Sequence, residues 1–351
     1  MKKYLLPLLF IALAAVAWWL WRSDQGTTIT GPLSDFAIAD TARVDRIFIA
    51  DKEGRTADLR KGPDGRWTVN GEPANQFPVH TLLKTFRNVE VRTPVPKSAV
   101  ANTLKFMSTS AIKVEIYTGD DEPEKIWWVG HGTPDHLGVY TILEKPGIGR
   151  SGSPFVLGMS GFTGLINTRF HANLDDWRST DLAIYPDMNN IASMQVEHPM
   201  EDSMGYIINY GGDRIMSLED AQGRELPLDT VIVFDMLQHL RDAHFEYFER
   251  TYSKAVKDSI LASVPRHVLT IITRDGRKQH LKFWKKDPYP GEQSMDFEPM
   301  TVDVDRMLSV KDDTALVVVQ RYWFDRMVPY LGQVRQRPMT SAVRGPSTAD
   351  R

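Results

Sequence analysis

Residues 111–128, AIKVEIYTGDDEPEKIWW, are answered without a gap by residues 266–283, RHVLTIITRDGRKQHLKF. Val114 and Ile116 fall on Leu269 and Ile271, Asp120 on Asp275, and Ile126 and Trp128 on Leu281 and Phe283. Each stretch alternates apolar and polar residues, breaks at a polar turn, and alternates again, as a β-hairpin does. A hairpin that returns at this distance constrains the chain to build one kind of unit twice. The ungapped register makes Trp128, not Trp127, the inward-facing member of the Trp127-Trp128 pair, since neighbours on a strand point to opposite faces. Trp127 is thereby the candidate for a surface role.

The surrounding sequence supports the repeat. In the first copy, strands are expected at 44–50, 56–61 and 67–69, separated by the turns Asp51-Lys52-Glu53-Gly54 and Gly62-Pro63-Asp64-Gly65. Residues 76–89 then place Val79, Leu82, Leu83 and Phe86 on one helical stripe, and 97–107 read as a second short helix. Strands at 138–143 and 155–157 follow, and residues 161–166 close the unit as a short turn or helix. In the second copy 191–196 answers 44–49, strands follow at 204–210 and 214–218, and a helix over 231–248 sets Leu237 and Leu240 where Leu83 and Phe86 stood. Residues 286–299, rich in Pro, Gly and acids, read as a surface loop, with closing strands at 301–304 and 315–319. The spacing between matched positions drifts from about 147 to about 161 residues, as loop insertions produce. The expectation is an α+β fold: a tandem duplication of an antiparallel sheet whose one apolar face is covered by amphipathic helices. The boundaries expected are an anchor at 1–22, a tether at 23–34, a first repeat at 35–170, a linker at 171–186, a second repeat at 187–332 and a disordered tail at 333–351.

The N-terminus bears on location. Lys2 and Lys3 precede an uncharged run through Trp21, with Tyr4 about 18 residues, or roughly 27 Å of helix against a 30 Å hydrocarbon core. A cleaved signal peptide with Ala15-Val16-Ala17 as its site is the competing reading. The apolar run continues past that site through Trp18, Trp19, Leu20 and Trp21 to Arg22, which favours an uncleaved single-pass anchor with an interfacial Trp belt. The positive-inside rule keeps Lys2 and Lys3 cytoplasmic and puts the bulk of the chain in the periplasm of a bacterial envelope. With a net charge of −3 there is no basic excess for phosphate contacts, which argues against nucleic acid as a partner. The absence of cysteine rules out disulfides, thiolate metal sites, a Cys nucleophile and a lipidated Cys.

Chemistry is sparse. His131, Asp135 and His136 lie within six residues and could ligate a metal, but Gly132 and Pro134 mark an inter-strand loop and the second copy has no such trio. Asp235, His239, Asp242 and Glu246 would share one face of the expected helix, where a solvated face is the ordinary explanation. No nucleophile elbow, Walker loop, dinucleotide fingerprint or HExxH helix occurs. No catalytic, metal or cofactor residue is therefore assigned, and the ligand candidates are Trp127, His131, Asp135 and His136.

The segments WTVNGEPANQ (67–76), SAIKVEIY (110–117), WWVGHGTPDHLGVYTILE (127–144) and DDWRSTDL (175–182) resemble a domain-of-unknown-function family of membrane-anchored exported proteins. Some of its members are associated with gliding- or efflux-type ABC exporter components. The resemblance implies an envelope location, and it transfers no activity to any residue. In that pattern His131 and His136 stand where small residues are expected. The expected function is a non-enzymatic scaffold or accessory subunit with an envelope protein partner. The alternative is a module binding cell-wall glycan, lipid or peptide in an inter-domain groove.

Overall fold

The computed structural model describes residues 33–336, apart from 212–215, 294, 296 and 302. The anchor, most of the tether and residues 337–351 of the expected tail lie outside the described residues. Among the described residues no helix is long and apolar enough to cross a membrane. The fold is α+β, in two compact units that divide between Ser179 and Thr180.

In the first unit, β1 (Arg46–Ala50), β2 (Thr56–Lys61), β3 (Trp67–Val69) and β4 (Glu72–Pro73) form a meander. Helix α1 (Gln76–Asn88), β5 (Val89–Pro94) and helix α2 (Lys97–Ser110) follow. The sheet is completed by β6 (Ile112–Tyr117), β7 (Lys125–Gly132), β8 (Val139–Lys145), the short β9 (Gly149–Arg150) and β10 (Phe155–Met159), and the one-turn α3 (Leu174–Trp177) closes the unit. The main sheet runs β4-β3-β2-β1-β6-β7-β8-β10-β5, all antiparallel.

The second unit opens with β11 (Asp181–Ala183), β12 (Ile191–Glu197), β13 (Tyr206–Tyr210), β14 (Met216–Asp220) and β15 (Glu225–Leu226). Helix α4 (Thr230–Leu240), β16 (Ala243–His244), β17 (Tyr247–Phe248) and α5 (Lys254–Ala262) come next. The chain then adds β18 (His267–Thr273), β19 (Lys278–Lys285), β20 (Arg306–Lys311) and β21 (Ala315–Gln320), and ends in α6 (Arg321–Phe324) and α7 (Leu331–Val334). Its sheet runs β15-β14-β13-β12-β18-β19-β20-β21-β17, the first order repeated position for position.

Each sheet is covered on both faces, where one apolar face was expected. Val79, Leu82 and Phe86 of α1 join one core, while Met107 of α2 packs with Ile142 on the opposite face. In the second unit α4 supplies Val233, Met236, Leu237 and Leu240 to one core, and α5 sets Ile260 and Leu261 against Trp284, Leu308, Val310 and Val318 on the other. Continuous apolar runs such as Leu316–Val319, buried at every residue, are the signature of a strand covered twice.

The hairpin registers correct the sequence alignment by one residue. Val114 faces Trp127 and Ile116 faces Lys125, whereas Leu269 faces Leu281 and Ile271 faces Gln279. Trp127 therefore stands where Leu281 does, because the second turn is one residue shorter. A slip of one residue exchanges the faces of a whole strand. Trp127 is fully buried, with edge contacts to Phe36 at 5.7 Å and Phe86 at 5.1 Å. Trp128 is the outward, partly exposed one. Its Nε1 donates to Glu144 at 2.9 Å, and its ring is flanked by Arg150 at 4.6 Å, Lys52 at 5.6 Å and Lys113 at 5.7 Å.

Four further expectations shift. The stretch 171–186 is folded, not a linker: Trp177 joins the first core, and Leu182, Ala183 and Tyr185 join the second. The helix expected over 231–248 stops at Leu240, because the chain must turn back to lay β17 against β21 as β5 lies against β10. The strand expected at 301–304 begins instead at Arg306, and the loop at 286–299 starts from the interior. Lys286 is fully buried on Asp303 at 2.9 Å, and the Tyr289 hydroxyl donates to buried Glu249 at 2.5 Å. Finally, residues 333–336 of the expected tail are ordered: Val334 lies in the second core and its carbonyl accepts from Asp229 N at 2.8 Å.

Candidate functional site

The residues singled out from sequence do not converge. Trp127 is core. His131 is exposed on β7, set against the rings of Tyr140 at 5.0 Å and Phe106 at 5.7 Å. Asp135 closes its own turn, accepting from Thr133 Oγ1 at 2.5 Å and Leu137 N at 3.0 Å, which with the Thr133 bond first lowers its pKa. His136 takes a left-handed φ of 57° at the tip of that turn. The presumed helical face also disperses. Asp242 meets His244 at 2.8 Å, Glu246 meets Arg306 at 3.0 Å, and His239 tucks against Trp323 at 4.6 Å. Among the described residues no group of three or more His, Asp or Glu is placed to hold a metal ion.

One line of groups resembles a nucleophile, base and acid: Thr180 Oγ1 lies 3.3 Å from His244 Nδ1, and His244 Nε2 lies 2.8 Å from Asp242. Its geometry does not favour catalysis. Asp242 is 74% exposed where an orienting carboxylate needs a dry site, and Asp181 competes for the same Nδ1 at 3.2 Å.

The best-formed site is one that the sequence did not mark. His198 follows the last residue of β12 and His267 opens β18, and the pairing of Glu197 with Val268 sets the two imidazoles side by side. Their Nδ1 atoms are 2.7 Å apart and the residues are only 2% and 4% exposed. At that distance one Nδ1–H donates and the other Nδ1 accepts, so two full protonations are incompatible. Burial pushes both pKa values down, that of His267 to about 3, with His198, Arg266 and Arg321 adding to the effect. The pair is accordingly neutral near pH 7. Tyr330 stacks on His198 at 4.3 Å and 24° and sets its edge to His267 at 5.9 Å. His198 Nε2 is sealed from solvent and has the Pro329 carbonyl beside it, outside full hydrogen-bond geometry.

Beside this pair opens a cavity of about 400 Å³. Ile260, Val264, Trp284, Met200 and Tyr330 make its apolar walls, and Glu201, Arg266 and Lys285 supply its charges. Trp284 is held by a bond from its Nε1 to the Ser263 carbonyl at 3.2 Å, and the Ser263 hydroxyl is engaged with the Ile260 carbonyl at 2.7 Å. With the hydroxyl and both Nδ1 atoms so occupied, the site holds apolar and charged matter and lacks an activated nucleophile. The first unit has Asp51 and Ile112 at the matching strand ends, so the pair belongs to the second unit alone. Two histidines 69 residues apart leave no local sequence signal; only the strand pairing joins them.

Compared with protein-family models, curated proteins and solved structures, the chain matches none of them.

Proposed function

We propose that this protein is a non-enzymatic accessory subunit or scaffold of a bacterial envelope complex, held at the inner membrane by its N-terminal apolar run, with two units that arose by tandem duplication. The repeated strand order supports the duplication, since nine positions in the same order by chance is a poor alternative. The scaffold reading rests chiefly on what the two cognate helices turn outward. Asn75 caps α1 and Asp229 caps α4 through side-chain bonds, and the second helical residue after each cap is a large apolar one. Phe77 is 80% exposed and Val231 73%, with Phe234 a turn further on at 52%. A single exposed apolar side chain is ordinary. Its recurrence at one position of both units supports a face kept for a protein partner. The family resemblance supports the envelope setting and suggests a transporter-associated complex.

Affinity purification of the full-length protein from gently solubilised, crosslinked membranes tests this. A stoichiometric envelope partner is expected, and it should be lost from the Phe77→Glu, Val231→Glu double variant. Recovery of the protein alone counts against the proposal. A second reading, a ligand-binding module, is favoured by the cavity beside His198, which lies within the second unit and not in an inter-domain groove. A thermal-shift panel of muropeptides, lipids and peptides tests it, since a ligand bound only by the folded state raises the midpoint.

A further inference from the structure

We propose that the cavity beside the His198–His267 pair is a lipid site, taking one acyl chain whose head group carries both a phosphate and a primary amine. The inference deepens the ligand-binding reading and rests on it. At about 400 Å³ the cavity lies toward the small end of ligand pockets, suited to a single chain. Its walls are already apolar without an occupant: Trp284 and Ile260 behind, the Tyr330 ring at one side, and Met200 and Val264 left 71% and 56% exposed. The neutral histidine pair keeps charge away from the place where methylenes would lie.

The charges around the opening define the head group. Arg266 is exposed and has no acidic partner among the described residues, and Glu201 is exposed and has no basic one. Lys285 is already paired with Asp287 at 3.0 Å. The cavity thus presents one unpaired guanidinium and one unpaired carboxylate, which complement a phosphate and an ammonium on the same head group. A fatty acid would satisfy Arg266 and leave Glu201 facing its carboxylate. An extended peptide is the weaker occupant, because β12, β18 and β19 each have a strand on both sides and offer no free edge for pairing.

The test uses full-length protein in phosphatidylcholine vesicles and lysophosphatidylethanolamine with a diazirine near the end of its chain. After irradiation, adducts should map to 198–201, 260–266 and 284–285, and excess unlabelled lysophosphatidylethanolamine should remove them. A diazirine fatty acid and the lysophosphatidylglycerol analogue should label about tenfold less, the scale of one lost charged contact. Val264→Glu, at an exposed position where the fold tolerates a charge, should abolish labelling, and Arg266→Glu and Glu201→Lys should each lower it while the unfolding midpoint stays unchanged. Equal labelling by the fatty acid, labelling that survives Val264→Glu, or adducts confined to residues 1–22 would each overturn the lipid assignment. Displacement by an apolar peptide but not by lysophosphatidylethanolamine would give the cavity to a protein segment. A thermal shift with a different ligand class, without lipid labelling, would sink the lipid and leave the ligand-binding reading standing.

Discussion

Replacing Trp127 by alanine should destabilise the first unit far more than replacing its neighbour. Trp127 is fully buried and touches Phe36, Phe86 and Phe170 with centroids at 5.7, 5.1 and 6.0 Å. Truncating such a residue costs about 3–5 kcal/mol, the transfer loss together with the cavity left behind. Trp128 is only partly buried. Its loss removes cation–π contacts worth roughly 0.5–1 kcal/mol, a hydrogen bond to Glu144 worth about 1 kcal/mol and the part of its ring packed against Met107 and Ile142. The expected difference is about 2 kcal/mol. Trp127→Phe should be much milder than alanine, because the buried Trp127 Nε1 has no partner to lose. Urea titration followed by hydrogen exchange in peptides spanning 112–132 reads the first unit alone. An equal or larger loss for Trp128→Ala would refute the register on which both units are built.

The histidine pair makes the second unit acid-sensitive. Both folded pKa values lie below the ordinary 6.5, so the unfolded chain binds more protons between that value and the folded one, and stability is full above about 6.5 and lost as pH falls toward about 3. For His267 alone this amounts to ~1.4 kcal/mol by pH 5.5; a urea midpoint for β18 peptides that is flat from pH 7.5 to 5.5 contradicts it. Lys286→Met should cost about 3–5 kcal/mol by taking the ammonium away from the buried carboxylate of Asp303, and adding Asp303→Asn, whose Oδ1 still accepts from Asp305 N and Arg306 N, should restore most of it. Equal unfolding midpoints for the single and double variants would show that the pair is not coupled. Phe77→Glu and Val231→Glu should each change stability by less than about 0.5 kcal/mol, as surface substitutions do; a larger drop in either midpoint would mean that these side chains are structural.

Much of the fold was legible because its periodicities are local. The strands at 56–61 and 67–69 and the helix from Gln76 follow from alternation, turn residues and the stripe of Val79, Leu82 and Phe86. What misled was a register. Ungapped identity of type between Ile126 and Leu281 hid a one-residue difference in turn length, and period-two structure turns such a slip into an exchange of faces. The helix expected through Phe248 failed because Ala243 and Phe245 are apolar for a different reason: they pack into the second core from an irregular return to the sheet edge. Lys286 read as loop because a lysine signals solvent unless its partner, Asp303, can be foreseen. The site itself was illegible for the same reason as His198 and His267: its parts come from strand ends, a helix C-terminus and Tyr330, joined only by the fold.

The proposed scaffold, with matched helix faces turned to an envelope partner, can be probed by site-specific photocrosslinking in intact cells. A photoreactive amino acid at Phe77, at Val231 and at Lys254, whose side chain is 88% exposed on a different helix, compares the proposed face with ordinary surface. A discrete adduct to one envelope protein is expected from positions 77 and 231 and none from 254. No adduct at either helix, or the same pattern from all three positions, would contradict it.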